Sequence, residues 1–117
     1  MTEPNWYTFP DFLMRELPEL REEIEAEYYE YAEVVANPMP HFFLGDFILP
    51  ILSGQRPADE AMRHRAGAIV DQLLSSSDED LAGAAVTSVF EIIRDSPELR
   101  DTTWPYLGPT MRDWLSR

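Results

Sequence analysis

The chain has 117 residues, 44% of them hydrophobic, and sets 22 acids against nine arginines, with no lysine and no cysteine, for a net charge of −13. This length supports one hydrophobic core rather than two, and the absence of cysteine excludes disulfides, thiolate metal sites and a cysteine nucleophile. The charge is uneven: residues 1–60 hold 13 acids and three arginines, and residues 61–117 hold nine acids and six arginines. A field of this sign repels nucleic acid and anionic membrane and attracts basic proteins.

The first stretch, "MTEPNWYTFPDF", has neither the basic nor the apolar region of a signal peptide. The most apolar run, "HFFLGDFILPIL", is interrupted by Gly45, Asp46 and Pro50, which makes it too short for a membrane span. The expectation is a soluble cytoplasmic protein folded as a single domain over residues 1–117.

Helical periodicity dominates the chain. "PDFLMREL" reads as a short lead-in helix, because proline suits a first helical turn. A longer helix is predicted from Pro18 to about Ala36, before the Asn37-Pro38 breaker, with an apolar stripe of Leu17, Leu20, Ile24, Tyr28, Tyr31 and Val35. "PHFFLGDFILPIL" follows as a mostly buried helix ending at "SGQRP". The next helix is predicted over about Pro57–Leu74, with Met62, Ala66, Ile69, Val70, Leu73 and Leu74 facing inward. In "SSSDEDL" Ser77 reads as the cap and Asp80 as its capping-box partner, opening a helix to about Asp95 that buries Leu81, Ala85, Val89, Ile92 and Ile93. Ser96-Pro97 ends it. A last short helix after Gly108-Pro109 places Met111, Trp114 and Leu115 on one side.

The fold class that follows is all-α: a compact array of about five helices around a central antiparallel hairpin. Small residues (Ala66, Gly67 and Ala68; Ala82, Gly83, Ala84 and Ala85) are expected to let the two central helices approach closely.

Little in the pattern points to catalysis or to a metal. Glutamates recur at three-residue spacing, but none is followed at that spacing by the histidine a di-iron bundle needs. The "DED" of residues 78–80 lacks the glycine and distal glutamate of a calcium loop. His64 lies within "RHR" on an exposed face, where it reads as part of a small basic patch. His41 reads as an N-terminal helix residue. Ser75, Ser76 and Ser77 are explained as turn and cap, and neither a nucleophile elbow nor a glycine-rich phosphate loop is present. The expectation is no catalytic residue, no metal and no cofactor.

The segment "PELREEIEAEYYEYAE" holds seven glutamates and three tyrosines. Tyr28 and Tyr31 fall on the core stripe, whereas Tyr29 falls outside it, among Glu22, Glu25 and Glu33 on the same side. Two readings of Tyr29 stay open. It either packs under the "NWYTF" or "HFF" segment, or stands as an aromatic anchor inside an acidic rim, the arrangement a binder of a basic protein would use. On the second reading Tyr29, Glu22, Glu25, Glu30 and Glu33 form a partner-binding face.

The segments "DFLMRELPEL…EYYEYAE", "PHFFLGDFILPIL", "LLSSSDEDLAGAAVTSVFEIIRD" and "WPYLGPTMRDWL" resemble a family of small, uncharacterised bacterial helical proteins. That resemblance covers most of the chain and implies a HEAT-like helical array. Some such proteins are presumed immunity proteins of polymorphic toxin systems, so it also implies a cytoplasmic inhibitor that binds a cognate, plausibly basic, toxin. The alternative is a helical scaffold or adaptor without a toxin, homodimeric through aromatics such as Trp6, Tyr7 and Trp104. A small enzyme is the third reading.

Overall fold

The protein is described by a computed structural model over residues 3–27 and 40–117. Among these residues every regular element is helical. The radius of gyration is 13.4 Å, which matches the roughly 13 Å of a compact chain of this length.

Helix α1 (Phe9–Glu16) buries Phe9, Phe12 and Leu13, and Leu17 follows into the core. A 3₁₀ turn at Pro18–Leu20 leads into α2 (residues 21–27), where Leu20 and Ile24 are buried as the stripe requires. Tyr28, Tyr31 and Val35, the rest of that stripe, lie outside the described residues. Helix α3 (residues 40–53) runs without a break through Pro40–Phe43, a π-helical turn at Leu44–Ile48, and Leu49–Ser53. Pro50 explains the widened turn: it has no N–H and its ring collides with the carbonyl four residues back, so Leu49 N–H bonds to Leu44 O instead. Gly54, at φ 82°, closes α3.

Helix α4 (Glu60–Leu74) starts three residues later than Pro57, because Asp59 is the cap and accepts from Met62 N–H at 2.8 Å. All six of its predicted inward residues are buried. Helix α5 (residues 79–94) is capped by Asp78, not Ser77; Asp78 accepts from the N–H groups of Asp80 and Leu81. It carries its own π turn at Val86–Phe90, which packs against that of α3. The extra residue of a π turn rotates the following face. Val89 and Ile93 therefore stay buried while Ile92, expected inside, is 40% exposed.

Ser96-Pro97 both ends α5 and starts another helix, α6 (Pro97–Thr103). Ser96 Oγ accepts from Leu99 N–H and Pro97 occupies the first turn, where its missing N–H costs nothing. A 3₁₀ turn at Trp104–Tyr106 then leads to α7 (Pro109–Leu115), which buries Met111 and Leu115. The described residues thus form seven helices rather than about five. Helix α3 packs against α1, α4, α5 and α6, and α4 packs against α3, α5 and α7. No described helix is long and apolar enough to cross a membrane.

The "YLGP" segment is a docking device on α4. A Cβ on Gly67 would stand 1.7 Å from Tyr106 O, and one on Gly108 would stand 2.4 Å from Asp71 Cγ. The Tyr106 ring lies under the Arg63 guanidinium at 3.9 Å, and its hydroxyl donates to Glu60 Oε1 at 2.8 Å. That bond to a carboxylate raises the tyrosine pKa.

Candidate functional site

Of the five residues expected to bind a partner, Tyr29, Glu30 and Glu33 lie outside the described residues. The other two are on α2. Glu22 is exposed and makes no ion pair with a described residue. Glu25 is half-exposed and accepts from Arg21 Nε at 3.4 Å. Two other acids of this region hold it to the body of the protein: Glu23 pairs with Arg56, and Glu19 pairs with Arg65. Arg65 Nη1 also donates to Glu16 O at 3.1 Å. The hydrogen bonds from Arg65 pull the Glu19 carboxyl down to about 2 from its ordinary 4.5.

The "RHR" patch is engaged within the fold. Arg65 holds Glu19, Arg63 donates to Leu52 O at 2.9 Å and covers Tyr106, and the exposed His64 ring meets the Tyr106 ring edge-on at 5.0 Å. In fact every arginine of the chain has an internal partner. Arg15 lies over Phe12, Arg21 meets Glu25, Arg56 meets Glu23, and Arg94 meets Asp95. Arg100 donates to Arg94 O, Arg112 donates to Trp104 O, and Arg117 meets Asp113. Acids outnumber these cations by more than two to one, so carboxylates without an internal countercharge dominate the outer field.

A cleft lies elsewhere, between the N-terminal segment and the start of α5. It measures about 530 Å³ and is lined by Trp6, Tyr7, His41, Asp78, Glu79, Asp80, Gly83, Ala84 and Thr87. Hydrogen bonds fix the backbone of its wall. Trp6 N–H donates to Asp78 Oδ2 at 2.7 Å, while Asn5 Oδ1 accepts from the N–H groups of Tyr7 and Thr8. Farther out, Ser77 donates to Glu3 through both its N–H and its hydroxyl, which lowers the Glu3 pKa. Asp78 thereby serves as helix cap and as tether at once. Tyr7 is 78% exposed, the largest exposure of any large hydrophobic side chain described.

On the opposite wall the His41 ring meets Trp6 edge-on at 5.9 Å, and its Nδ1 lies 2.9 Å from Oγ of the buried Ser88, inside the π turn of α5. Glu79 and Asp80 extend into solvent and form no ion pair with a described residue. Both residues line the cleft together with Trp6 and Tyr7, so carboxylates and aromatic rings share its surface. No group of three or more metal-ligating side chains occurs among the described residues.

Gly83 corrects the expected role of the small residues. Gly67 does sit at a close approach, although its neighbour is the Tyr106–Leu107 backbone rather than α5. A Cβ on Gly83 would meet nothing within 4 Å, because that position opens into the cleft. The sequence marks Trp6 and Tyr7 as exposed aromatics and residues 78–80 as a cap. What it does not show is that Asp78 brings the two together across more than 70 residues.

A family model described as Domain of unknown function (DUF7674) matches residues 10–117. Comparison with curated proteins and with solved structures gave no match.

Proposed function

The chain belongs to the DUF7674 family of domains of unknown function, and from that premise we propose that it is a non-catalytic protein-binding module: an acidic cytoplasmic immunity protein that inhibits a cognate, basic bacterial toxin by direct contact. The observation that carries this reading is the charge arrangement. Nine arginines all have partners within the fold, and the surplus carboxylates are left to steer and hold a cationic protein. The face built from Tyr29, Glu22, Glu25, Glu30 and Glu33 is the proposed contact, with Tyr29 as its aromatic anchor. The fold reading that goes with it is a HEAT-like array in which α4 and α5 form the central antiparallel hairpin. Its support is the packing of these two helices across the short 75–78 connection.

The test is binding of the purified chain to the product of any toxin-like gene that adjoins its own, followed by calorimetry at two salt concentrations. The expected result is tight, salt-weakened binding that Tyr29→Ala, combined with charge reversal at Glu22, Glu25 and Glu33, reduces by at least about tenfold. No binding at low salt, or binding indifferent to these changes, overturns the reading.

The exposure of Tyr7 favours a second reading, a homodimeric scaffold joined through this aromatic edge. Sedimentation that gives a monomer at high concentration rules it out.

A further inference from the structure

We propose that the cleft between the N-terminal segment and α5 takes an arginine side chain of a protein partner. This deepens the reading of the chain as a binder of a basic protein and rests on it, but it names a different surface from the α2 face. Four features converge on a guanidinium. First, the cavity is large enough, at about 530 Å³, for a side chain to enter. Second, the aromatic side chains of Trp6, half-buried, and Tyr7, exposed, line it, and a planar delocalised cation stacks on aromatic rings better than an ammonium does. Third, Glu79 and Asp80 supply carboxylates that pair with no described cation, whereas Asp78 is already occupied by three N–H groups. A guanidinium can donate to two carboxylates from one plane.

The fourth feature is Gly83. Glycine in a helix interior lowers stability, and here no neighbour requires it, since a Cβ would meet only open space. Its effect is to leave the cleft floor clear. Thr87, one turn on, adds a hydroxyl at the same floor. The backbone of the wall is also fixed in advance, because Trp6 N–H is tied to Asp78 and Tyr7 N–H to Asn5, so binding has mainly side chains left to order.

The experiment is an NMR titration of the full chain with the blocked tripeptide acetyl-Gly-Arg-Gly-amide, beside its lysine and citrulline counterparts. The Trp6 indole resonance is identified by Trp6→Phe. Expected are saturable shifts at the Trp6 indole and at the Gly83 and Thr87 amides, with a dissociation constant on the order of millimolar. The lysine peptide binds several-fold more weakly, and the neutral citrulline peptide gives no saturable shift. Gly83→Leu fills the cleft from an open helical position and should weaken the arginine peptide by at least about tenfold while the helical signal and melting are kept. Glu79→Gln with Asp80→Asn provides an independent weakening if the leucine variant melts early. An absent arginine response, an equal citrulline response, or a response that survives both sets of changes overturns the proposal, and lysine matching arginine overturns the guanidinium assignment. Toxin capture retained by Gly83→Leu with the peptide site lost ends the claim that the partner uses this cleft and leaves the α2 face as its contact. Peptide binding without toxin capture keeps the cleft and ends the toxin reading.

Discussion

Gly67 of α4 lies directly beneath the carbonyl oxygen of Tyr106, with 1.7 Å between that oxygen and the place a Cβ would occupy. The obstacle is backbone, so a side-chain rotation cannot relieve it. Gly67→Ala must push the 104–108 segment off α4, and with it the Arg63–Tyr106 stack and the buried Leu107. The expected loss is about 2–3 kcal/mol or more, as for severe overpacking, read as a lowered urea midpoint.

The same substitution at Gly83 should act in the opposite direction. Its Cβ would enter open space, so Gly83→Ala gains helix propensity without a clash. Stability should rise by about 0.5–1 kcal/mol, measured by the same urea titration. Equal destabilisation at Gly67 and Gly83 would mean that both glycines are packed.

Helix α7 takes its cap from another helix. Gly108 stands at the cap position without a side chain, and Asp71 of α4 accepts from Thr110 N–H at 3.0 Å and from Met111 N–H at 2.9 Å. Asp71→Ala leaves both donors short of a partner and should cost about 1–2 kcal/mol. Asp71→Glu should not restore it, because Gly108 already lies against the Asp71 carboxyl group. Near-ultraviolet circular dichroism of Trp114, on α7, reports the loss separately from global unfolding.

The Glu19–Arg65 pair gives a pH dependence whose sign is fixed by a depressed carboxylate. Glu19 is held at about 2 in the folded chain against 4.5 ordinarily, so its contribution is present above pH 4.5 and is lost as pH falls toward 2. Both side chains are more than a third exposed, and solvent screening limits the contribution to well under about 1 kcal/mol. Glu19→Gln should therefore be slightly less stable than the parent at neutral pH and indistinguishable from it near pH 2, as read from denaturation midpoints. A difference that grows on acidification contradicts the assignment.

The parts of this fold that follow local periodicity are legible in the sequence: the inward residues of α4, the buried Leu20 and Ile24 of the apolar stripe, and the seat of α3 before Gly54. What the sequence hides depends on contacts distant along the chain. In "SSSDED" several oxygens compete to cap α5, and the choice of Asp78 is tied to Glu3, which engages Ser77 from 74 residues away. Ser96-Pro97 carries a stop and a start in the same two residues, so the stop alone is visible and α6 is missed. Ile92 turns outward because a π turn shifts the register, and that turn leaves no proline in the sequence to announce it. The cleft is illegible for the same reason: its wall and floor are local features, but their meeting is not.

The tether from Trp6 to Asp78 has a consequence for how such a surface can diverge. The family match begins at residue 10, so Trp6 and Tyr7 lie outside it, while Glu79, Asp80 and Gly83 lie within it. A chain that kept the matched region and exchanged only the residues before it would carry the same floor under a different wall. The tether is then the part free to change, an interchangeable faceplate fitted to a frame that stays the same.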